Sequence, residues 1–196
     1  MRVLGLDVST SNVGICLMDT EQPQMHRVVL AKGIPLSKQK GLYAKSCKVR
    51  ETILELSDQH RIDVIAIEES LQAFRRNMSS AKTIRTLNRF NGIVSWIARS
   101  ELDAPVVPGN VISVRNKINL KIEKKSEKTT KEQVLEWVSQ HPDMSAFQWP
   151  TKVMKSGPKK GETRKEIFCY DIADAFVMAL WGCDHLKNED LDSTIL

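Results

Sequence analysis

The chain has 196 residues, of which 41% are hydrophobic, so it can bury a core and favours a single domain over residues 1–196. Its 29 lysines and arginines exceed its 24 acidic residues, and the net charge of +5 is compatible with a polyanionic partner without requiring one. The four cysteines form no C-x-x-C motif, the start of the chain has no signal-peptide pattern, and no apolar run approaches a membrane span. We therefore expect a soluble cytoplasmic protein with reduced thiols, and neither a secreted nor a membrane protein.

The first predicted element is a buried hairpin that contains Asp7. An apolar run from Arg2 breaks into a small polar turn over 9–12 and resumes as a second strand over 13–19. Alternation along the first strand places Asp7 on the same face as Gly5, inside the expected core. An unpaired carboxylate there would cost on the order of several kcal/mol, so the sequence predicts that a cation compensates Asp7.

After the hairpin, the hydrophobic pattern switches between the periods of strands and helices. A near-continuous apolar run over 62–67 is typical of a strand covered on both faces, and it ends in Glu68. Residues 111–118 keep helical spacing behind a cap at Asn110, although Val-Ile-Ser-Val in the same stretch is also compatible with a strand. The other predicted elements here are a strand over 25–32, a helix over 42–56, a long helix over 79–100 and a short strand over 104–107.

The last third of the chain contains two predicted helices separated by a basic loop. A capping box formed by Thr130 and Gln133 opens the first helix, which ends near residue 140. Residues 143–166 show no clear period and are rich in lysine, so we expect a loop there. The last helix spans 170–183. Together the elements predict an α/β fold with a mixed five-stranded sheet, three antiparallel strands followed by parallel strands, flanked by helices.

Four carboxylates are candidates for one site. Asp7 and Glu68 each stand at the carboxyl end of an apolar strand, where α/β sheets place their sites. Asp171 and Asp174, three residues apart on the last helix, can face one point beside the sheet. Such a cluster would repel itself without divalent cations, and oxygen ligands suit Mg²⁺ or Mn²⁺. We therefore predict a pair of Mg²⁺ ions, with Mn²⁺ as a substitute, and hydrolysis of a nucleic-acid backbone.

Three short segments carry a known pattern: Gly5-Leu6-Asp7 with Ser9 and Gly14, then Ile65-Ala66-Ile67-Glu68, then Asp171-Ile-Ala-Asp174-Ala-Phe. In this order they resemble the RuvC family of Holliday junction resolvases, within the ribonuclease H-like superfamily. The resemblance implies a ribonuclease H-like fold and a metal-dependent homodimeric endonuclease that nicks two strands of a four-way DNA junction symmetrically and leaves 5′-phosphate ends. It also implies that the four carboxylates are the catalytic metal ligands, which are Asp7, Glu68, Asp171 and Asp174.

The resemblance extends to contacts with branched DNA. Arg115 and Lys131 match basic DNA contacts of the family. By the same resemblance, the long helix over 79–100 is the expected dimer contact, although its apolar stripe is more simply explained as core. The predicted DNA-binding residues are Phe74, Arg75, Arg76, Lys82, Arg115, Lys117 and Lys131.

In this family an aromatic residue shortly after the catalytic glutamate enters the junction. Phe74 is the nearest aromatic residue here, but its offset from Glu68 is longer than in the family, and Leu71 competes for the role. With Arg75 and Arg76 holding phosphates beside it, Phe74 could wedge between stacked bases. It is explained about as well as an anchor of its own loop.

Two features depart from the family pattern. The turn after Asp7 reads Val-Ser-Thr-Ser-Asn where many members have Asp-Pro-Gly, and the basic stretch over 143–166 is longer than expected. Both indicate a divergent branch, viral or organellar, which would place the protein in a host-cell cytoplasm or an organelle. The extra lysines are either a solvated loop or an added phosphate clamp.

Other functions fit parts of the sequence. A general branched-DNA nuclease or an RNA–DNA hybrid nuclease would use the same fold, and a non-catalytic junction-binding protein would keep the same motifs. Asp171 taken alone is more often structural, because acidic residues favour the first turn of a helix. The segment from Gly5 to Asn12 also resembles the first phosphate loop of actin-type and sugar-kinase ATPases. The chain has no room for their second lobe and second glycine-rich motif, so we expect no nucleotide cofactor.

Overall fold

The computed structural model describes residues 1–69, 81–157 and 160–185. The strands are β1 (Arg2–Val8), β2 (Asn12–Asp19), β3 (Val28–Pro35), β4 (Val64–Glu68), β5 (Val106–Gly109), and the short β6 (Thr151–Val153) and β7 (Thr163–Lys165). The helices are α1 (Gly41–Gln59), α2 (Ala81–Leu102), α3 (Val111–Lys117), α4 (Thr130–Gln140) and α5 (Cys169–His185), with a short 3-10 helix at Pro142–Met144.

Five strands form one mixed sheet in the order β3-β2-β1-β4-β5. The first three strands are antiparallel neighbours, whereas β4 and β5 continue the sheet in parallel to β1. Parallel neighbours need a crossover connection, which α1 and α2 supply before β4 and β5. The predicted α/β fold with a mixed five-stranded sheet is confirmed.

Different helices cover the two faces of the sheet. Leu4 and Leu6 of β1 belong to the apolar cluster under α1 and α2. Val3, on the opposite face, belongs to the cluster that α5 shares with β1, β2 and β4. Because side chains alternate along a strand, Asp7 lies on the α5 face together with Val3 and Gly5.

Two glycines let α5 approach the sheet closely. A Cβ atom on Gly5 would collide with the carbonyl oxygen of Ala175, and one on Gly14 would collide with the carbonyl oxygen of Asp171. Since these obstacles are helix backbone, any side chain at either position would push α5 away. Gly14 is the cross-strand neighbour of Asp7, so this close approach brings the first turn of α5 next to Asp7.

Two helix starts test the predicted caps. Asn110 caps α3, because its Oδ1 accepts hydrogen bonds from the second and third helical amides, and the helical alternative for 111–118 is confirmed. The capping box of α4 is formed by Thr129 and Glu132, one residue earlier than the predicted pair Thr130 and Gln133. Gln133 instead uses its side chain to bond backbone groups of the segment before the helix.

The segment 143–166 is not the irregular loop that its composition predicts. It contains a hairpin of β6 and β7, in which Lys152 lies opposite Arg164. Each strand has three residues and is largely polar, so neither shows the apolar alternation that marks a strand in the sequence. The predicted third strand is also shifted, because a hydrogen bond from Asp19 N to Arg27 O closes a longer turn before β3.

None of the helices within the described ranges combines the length and hydropathy that crossing a bilayer requires. All four cysteines are free thiols.

Candidate active site

Two of the predicted acidic residues lie on neighbouring parallel strands. Leu6 of β1 is paired with Ile67 of β4, so Asp7 and Glu68 follow at the same level of the sheet. By the alternation of side chains along a strand, both lie on the face that α5 covers, and both are partly buried. The two carboxylates therefore stand side by side at the carboxyl ends of β1 and β4.

Helix α5 supplies the other two carboxylates. Asp171 and Asp174 lie near its start, and each is only 8% exposed. The close contact between the backbone of Asp171 and Gly14 holds this end of α5 beside Asp7, the cross-strand neighbour of Gly14. The four predicted site residues thus come from β1, β4 and α5 and meet at one end of the sheet.

Burial raises the pKa of all four carboxyl groups. For Asp7, burial raises the pKa well above its usual range, and the negative charges of the other three acids raise it further. Burial also raises the pKa of Glu68, with a further contribution from Asp174. Burial raises the pKa of Asp171 and Asp174 as well, although nearby cations partly oppose it. The cluster therefore tends to take up protons unless other cations approach it.

Two basic side chains and one amide satisfy part of this charge. Arg115 of α3 donates from Nη2 to Asp174 Oδ1 at 3.2 Å, and Lys131 of α4 holds Nζ 3.7 Å from Asp171 Oδ1. Asn12 donates from Nδ2 to Asp171 Oδ2 at 2.9 Å. The Oδ1 atom of Asn12 is buried and has no hydrogen-bond partner among the described residues. The site therefore holds more carboxylates than cations.

The chemistry of this donor set fits a hard divalent cation. The four candidate ligands are all carboxylates, and Mg²⁺ and Mn²⁺ favour oxygen donors. Within the described ranges, however, no three His, Cys, Asp or Glu side chains stand in a ready metal-coordinating arrangement. Arg115 and Lys131 draw one oxygen each from Asp174 and Asp171. The ion pairs use Oδ1 of each carboxylate, and Asn12 uses Oδ2 of Asp171.

Comparison with solved structures identifies the fold. The T. thermophilus RuvC structure in complex with a Holliday junction substrate matches with a TM-score of 0.60 and 18% sequence identity, over 92% of this chain and 91% of that chain. Another Thermus thermophilus RuvC structure matches with a TM-score of 0.59 and 18% identity, over 92% of both chains. The yeast mitochondrial Holliday junction resolvase matches with a TM-score of 0.54 and 15% identity, over 95% of this chain and 82% of that chain. The chain has the RuvC fold.

The RuvC fold is carried by a divergent sequence. No family model matches the chain, and no curated protein sequence is significantly similar to it. The resemblance noted from three short segments is therefore confirmed as a shared fold, at identities of 18% or less in the structures compared above.

The predicted DNA-binding residues of this RuvC fold differ in their distance from the carboxylate site. Arg115 and Lys131 border the carboxylates, as described above. Lys117, also on α3, lies 5.9 Å from the ring centre of Trp181. Lys82 is exposed at the start of α2. The remaining three predicted contacts lie outside the described residues, and they are Phe74, Arg75 and Arg76.

Asn12 is a site residue that the sequence patterns did not single out. It begins β2, is 4% exposed and ties the turn after Asp7 to Asp171. The same turn is held from α1, where Lys45 Nζ donates to the carbonyl oxygen of Thr10. The available signal was a polar residue at the start of an otherwise apolar strand. Its partner is 159 residues away in sequence, so no local pattern could name it.

Proposed function

We propose that this chain is a metal-dependent endonuclease that resolves four-way DNA junctions. The observation that carries the proposal is the cluster of four carboxylates from β1, β4 and α5, in which burial raises every pKa. The fold supports it, since T. thermophilus RuvC has been solved in complex with a Holliday junction substrate and the yeast mitochondrial relative is a Holliday junction resolvase.

The carboxylates would hold a pair of Mg²⁺ ions, with Mn²⁺ as a substitute. When bound, such ions supply an activated water molecule and stabilise the leaving 3′ oxygen of a phosphodiester, so that the product keeps a 5′ phosphate. An oxygen-only donor set with too few cations around it supports this assignment. The proposed ligands are Asp7, Glu68, Asp171 and Asp174.

Neighbouring residues orient these ligands and bind the DNA strand. Asn12 holds one oxygen of Asp171, which limits the directions in which that carboxylate can turn. Arg115 and Lys131 pair with Asp174 and Asp171, which keeps two positive charges at the edge of the site. From this position both cations would also be able to hydrogen-bond the phosphates of a bound strand.

A second copy of the chain would supply the paired cut. A four-way junction offers two equivalent strands, so two symmetric nicks require two sites related by a two-fold axis. On α2, Phe90 and Val94 pack in the core, whereas Trp96 is 67% exposed and Ile93, one helical turn before it, is 36% exposed. Exposed aromatic and aliphatic side chains of this kind favour protein interfaces. We assign the homodimer contact to this exposed side of α2.

The substitution Asp7→Asn tests the proposal most directly. We expect the single-turnover rate of junction cleavage in Mg²⁺ to fall by more than about a hundredfold, because losing even an outer partner of a metal ligand costs about 10- to 100-fold. Junction binding, measured by fluorescence anisotropy, should persist because the change removes negative charge from a DNA-facing site. Asp58→Asn is the matched control, since Asp58 is exposed near the end of α1. Cleavage by Asp7→Asn at the wild-type rate would contradict the proposal.

The choice of substrate separates junction resolution from related activities. A mobile four-way junction, a flap and an RNA–DNA hybrid are compared at equal salt, because salt controls the phosphate contribution to binding. We expect the junction to be cut fastest. Preference for the flap or the hybrid would assign a general branched-DNA or hybrid nuclease, and binding without metal-dependent product would assign a non-catalytic junction-binding protein.

A further inference from the structure

The hairpin of β6 and β7 concentrates the positive charge of the chain. Residues 150–166 contain six lysines and arginines against two glutamates, a net charge of +4, whereas the whole chain has a net charge of +5. The rest of the chain is therefore almost neutral in sum. A charged run is usually only a solvated surface, so the placement of this segment decides what it can do.

The hairpin is a folded element that is attached to α4. Three residue pairs fix the register of its strands. Lys165 of β7 lies with Nζ 4.6 Å from the ring centre of Trp149, and the same Nζ donates to Ser139 Oγ of α4 at 2.6 Å. These contacts hold β7 against one helix, so the strands of the hairpin have a defined position.

That position is next to the carboxylate site. A groove of about 460 Å³ lies between the hairpin and α4, and basic residues of the hairpin line it together with Leu135 of α4 and Tyr170 of α5. Tyr170 directly precedes Asp171, and Leu135 is one helical turn from Lys131. The groove therefore reaches to within about one helical turn of the ion pair between Asp171 and Lys131.

Two lysines of the hairpin have charges that are free to bind a partner. Lys155 and Lys160 are exposed, and neither forms an ion pair within residues 1–69, 81–157 and 160–185. By contrast, Lys152 pairs with Glu166 at 3.2 Å, which fixes a lysine at the groove itself. An exposed ammonium group without a counter-ion is well suited to bind phosphate oxygens.

We propose that Lys155 and Lys160 of the hairpin bind the phosphate backbone of the DNA duplex next to the strand cut at the carboxylate site. This inference rests on the proposed function, because it takes DNA as the polyanion that the neighbouring site handles. Binding to phosphates releases condensed counter-ions, so each contact adds affinity and makes that affinity depend on salt. The hairpin touches none of the four carboxylate side chains in the contacts above, so it contributes to binding and not to the chemical step.

The test uses the double substitution Lys155→Gln with Lys160→Gln. Affinity for a labelled four-way junction is measured by anisotropy in EDTA at several salt concentrations. We expect affinity to fall by about tenfold or more at 0.1 M salt, and the slope of log affinity against log salt to shrink by about two. In Mg²⁺, KM should rise while kcat stays unchanged.

Two control variants separate this role from general electrostatics. Lys48→Gln with Arg61→Gln removes the same charge from α1 and from the segment before β4. It should change neither the junction affinity nor the salt slope appreciably. Lys155→Arg with Lys160→Arg keeps the charge and should keep both affinity and slope. An unchanged slope in the hairpin variant, or an equal loss in the variant of Lys48 and Arg61, would overturn the proposal.

The outcomes also separate this inference from the proposed function. If wild-type protein cuts the junction and the hairpin variant binds and cuts like wild type, only the hairpin proposal fails. If wild-type protein cuts no substrate but the hairpin variant still loses junction affinity and salt slope, the hairpin proposal stands and the nuclease assignment fails.

Discussion

Two clusters of buried charged groups lie on the α5 side of the sheet, one around Asp143 and one at the candidate site. The pKa of the buried carboxyl groups is lowered in the first cluster and raised in the second. Arg27 places Nη2 2.6 Å and Nε 3.1 Å from Asp143 Oδ2, and the amide of Met25 donates to Asp143 Oδ1 at 2.8 Å. Burial acts to raise the pKa of Asp143, but these donors outweigh it and hold the pKa below its usual value. At the candidate site, Asp174 also has an arginine partner, Arg115 at 3.2 Å, yet burial keeps its pKa raised.

The difference shows that an arginine beside a buried carboxylate does not by itself define its role. What differs is the number of donors for each acid. Asp143 alone receives three hydrogen bonds from Arg27 and Met25, so both of its carboxylate oxygens are hydrogen-bonded. At the site, four acids share two cations and one amide. Asp143 is therefore satisfied by donors within the fold, whereas the four site acids are not, and an added cation would favour their ionised forms.

The largest expected effect on folding belongs to Asp143→Ala. It leaves Arg27, whose side chain is only 17% exposed, without its main partner, and breaking such a pair costs about 3–5 kcal/mol. Urea unfolding at neutral pH measures the loss. Asp174→Asn is the comparison variant, and it should lose much less because it relieves repulsion among the site carboxylates. Equal losses in the two variants would remove the distinction between the clusters.

The pH dependence of stability gives a second measure of the same substitution. The folded pKa of Asp143 lies below the unfolded value of about 3.9, so its stabilising contribution is fully present above that pH. The contribution is lost as the pH falls through the folded pKa. The stability of wild-type protein should therefore fall more steeply below about pH 4 than that of Asp143→Ala. Parallel curves would mean that Asp143 is not held ionised by Arg27.

A smaller effect is expected where α5 touches the sheet at the site. Gly14→Ala would place a methyl group against the backbone of Asp171, which should cost about 1–3 kcal/mol and displace Asp171 from Asp7. We therefore expect both a lower free energy of unfolding and slower junction cleavage.

The matched control for Gly14→Ala is Gly92→Ala in α2. A Cβ atom at Gly92 would meet nothing within 4 Å, so this variant should gain up to about 1 kcal/mol from the better helix propensity of alanine. If Gly14→Ala unfolded and cut DNA like wild type, the close packing of α5 would not be what positions Asp171.

The acids of the candidate site could be predicted because each one interrupts a regular pattern. Asp7 and Glu68 lie at the ends of apolar strands, and Asp171 lies in a helix that is otherwise largely apolar. Their partners could not be predicted in the same way. Asn12 meets Asp171 across 159 residues and Arg27 meets Asp143 across 116 residues, so the pairing is decided by the fold and not by spacing.

The elements of the fold followed from hydrophobic periodicity, but some of their ends did not. β3 starts late because a hydrogen bond closes a turn across two strands. The hairpin of β6 and β7 was missed because its short polar strands carry no periodic signal. Neither boundary is marked by apolar periodicity, so hydrophobic pattern alone could not locate it.

The start of α4 is a further boundary that the sequence pattern misplaced, here by one residue. Lys131 in the first turn of α4 pairs with Asp171, while the other end of the helix leads into the segment of Asp143. Thr129 Oγ1 accepts a hydrogen bond from the third helical amide, so Thr129→Ala should cost about 1 kcal/mol in urea unfolding. Thr130→Ala, at the position that the sequence pattern favours, should cost close to nothing because Thr130 is the first helical residue and not the cap. A larger loss in Thr130→Ala than in Thr129→Ala would place the cap one residue later, at Thr130.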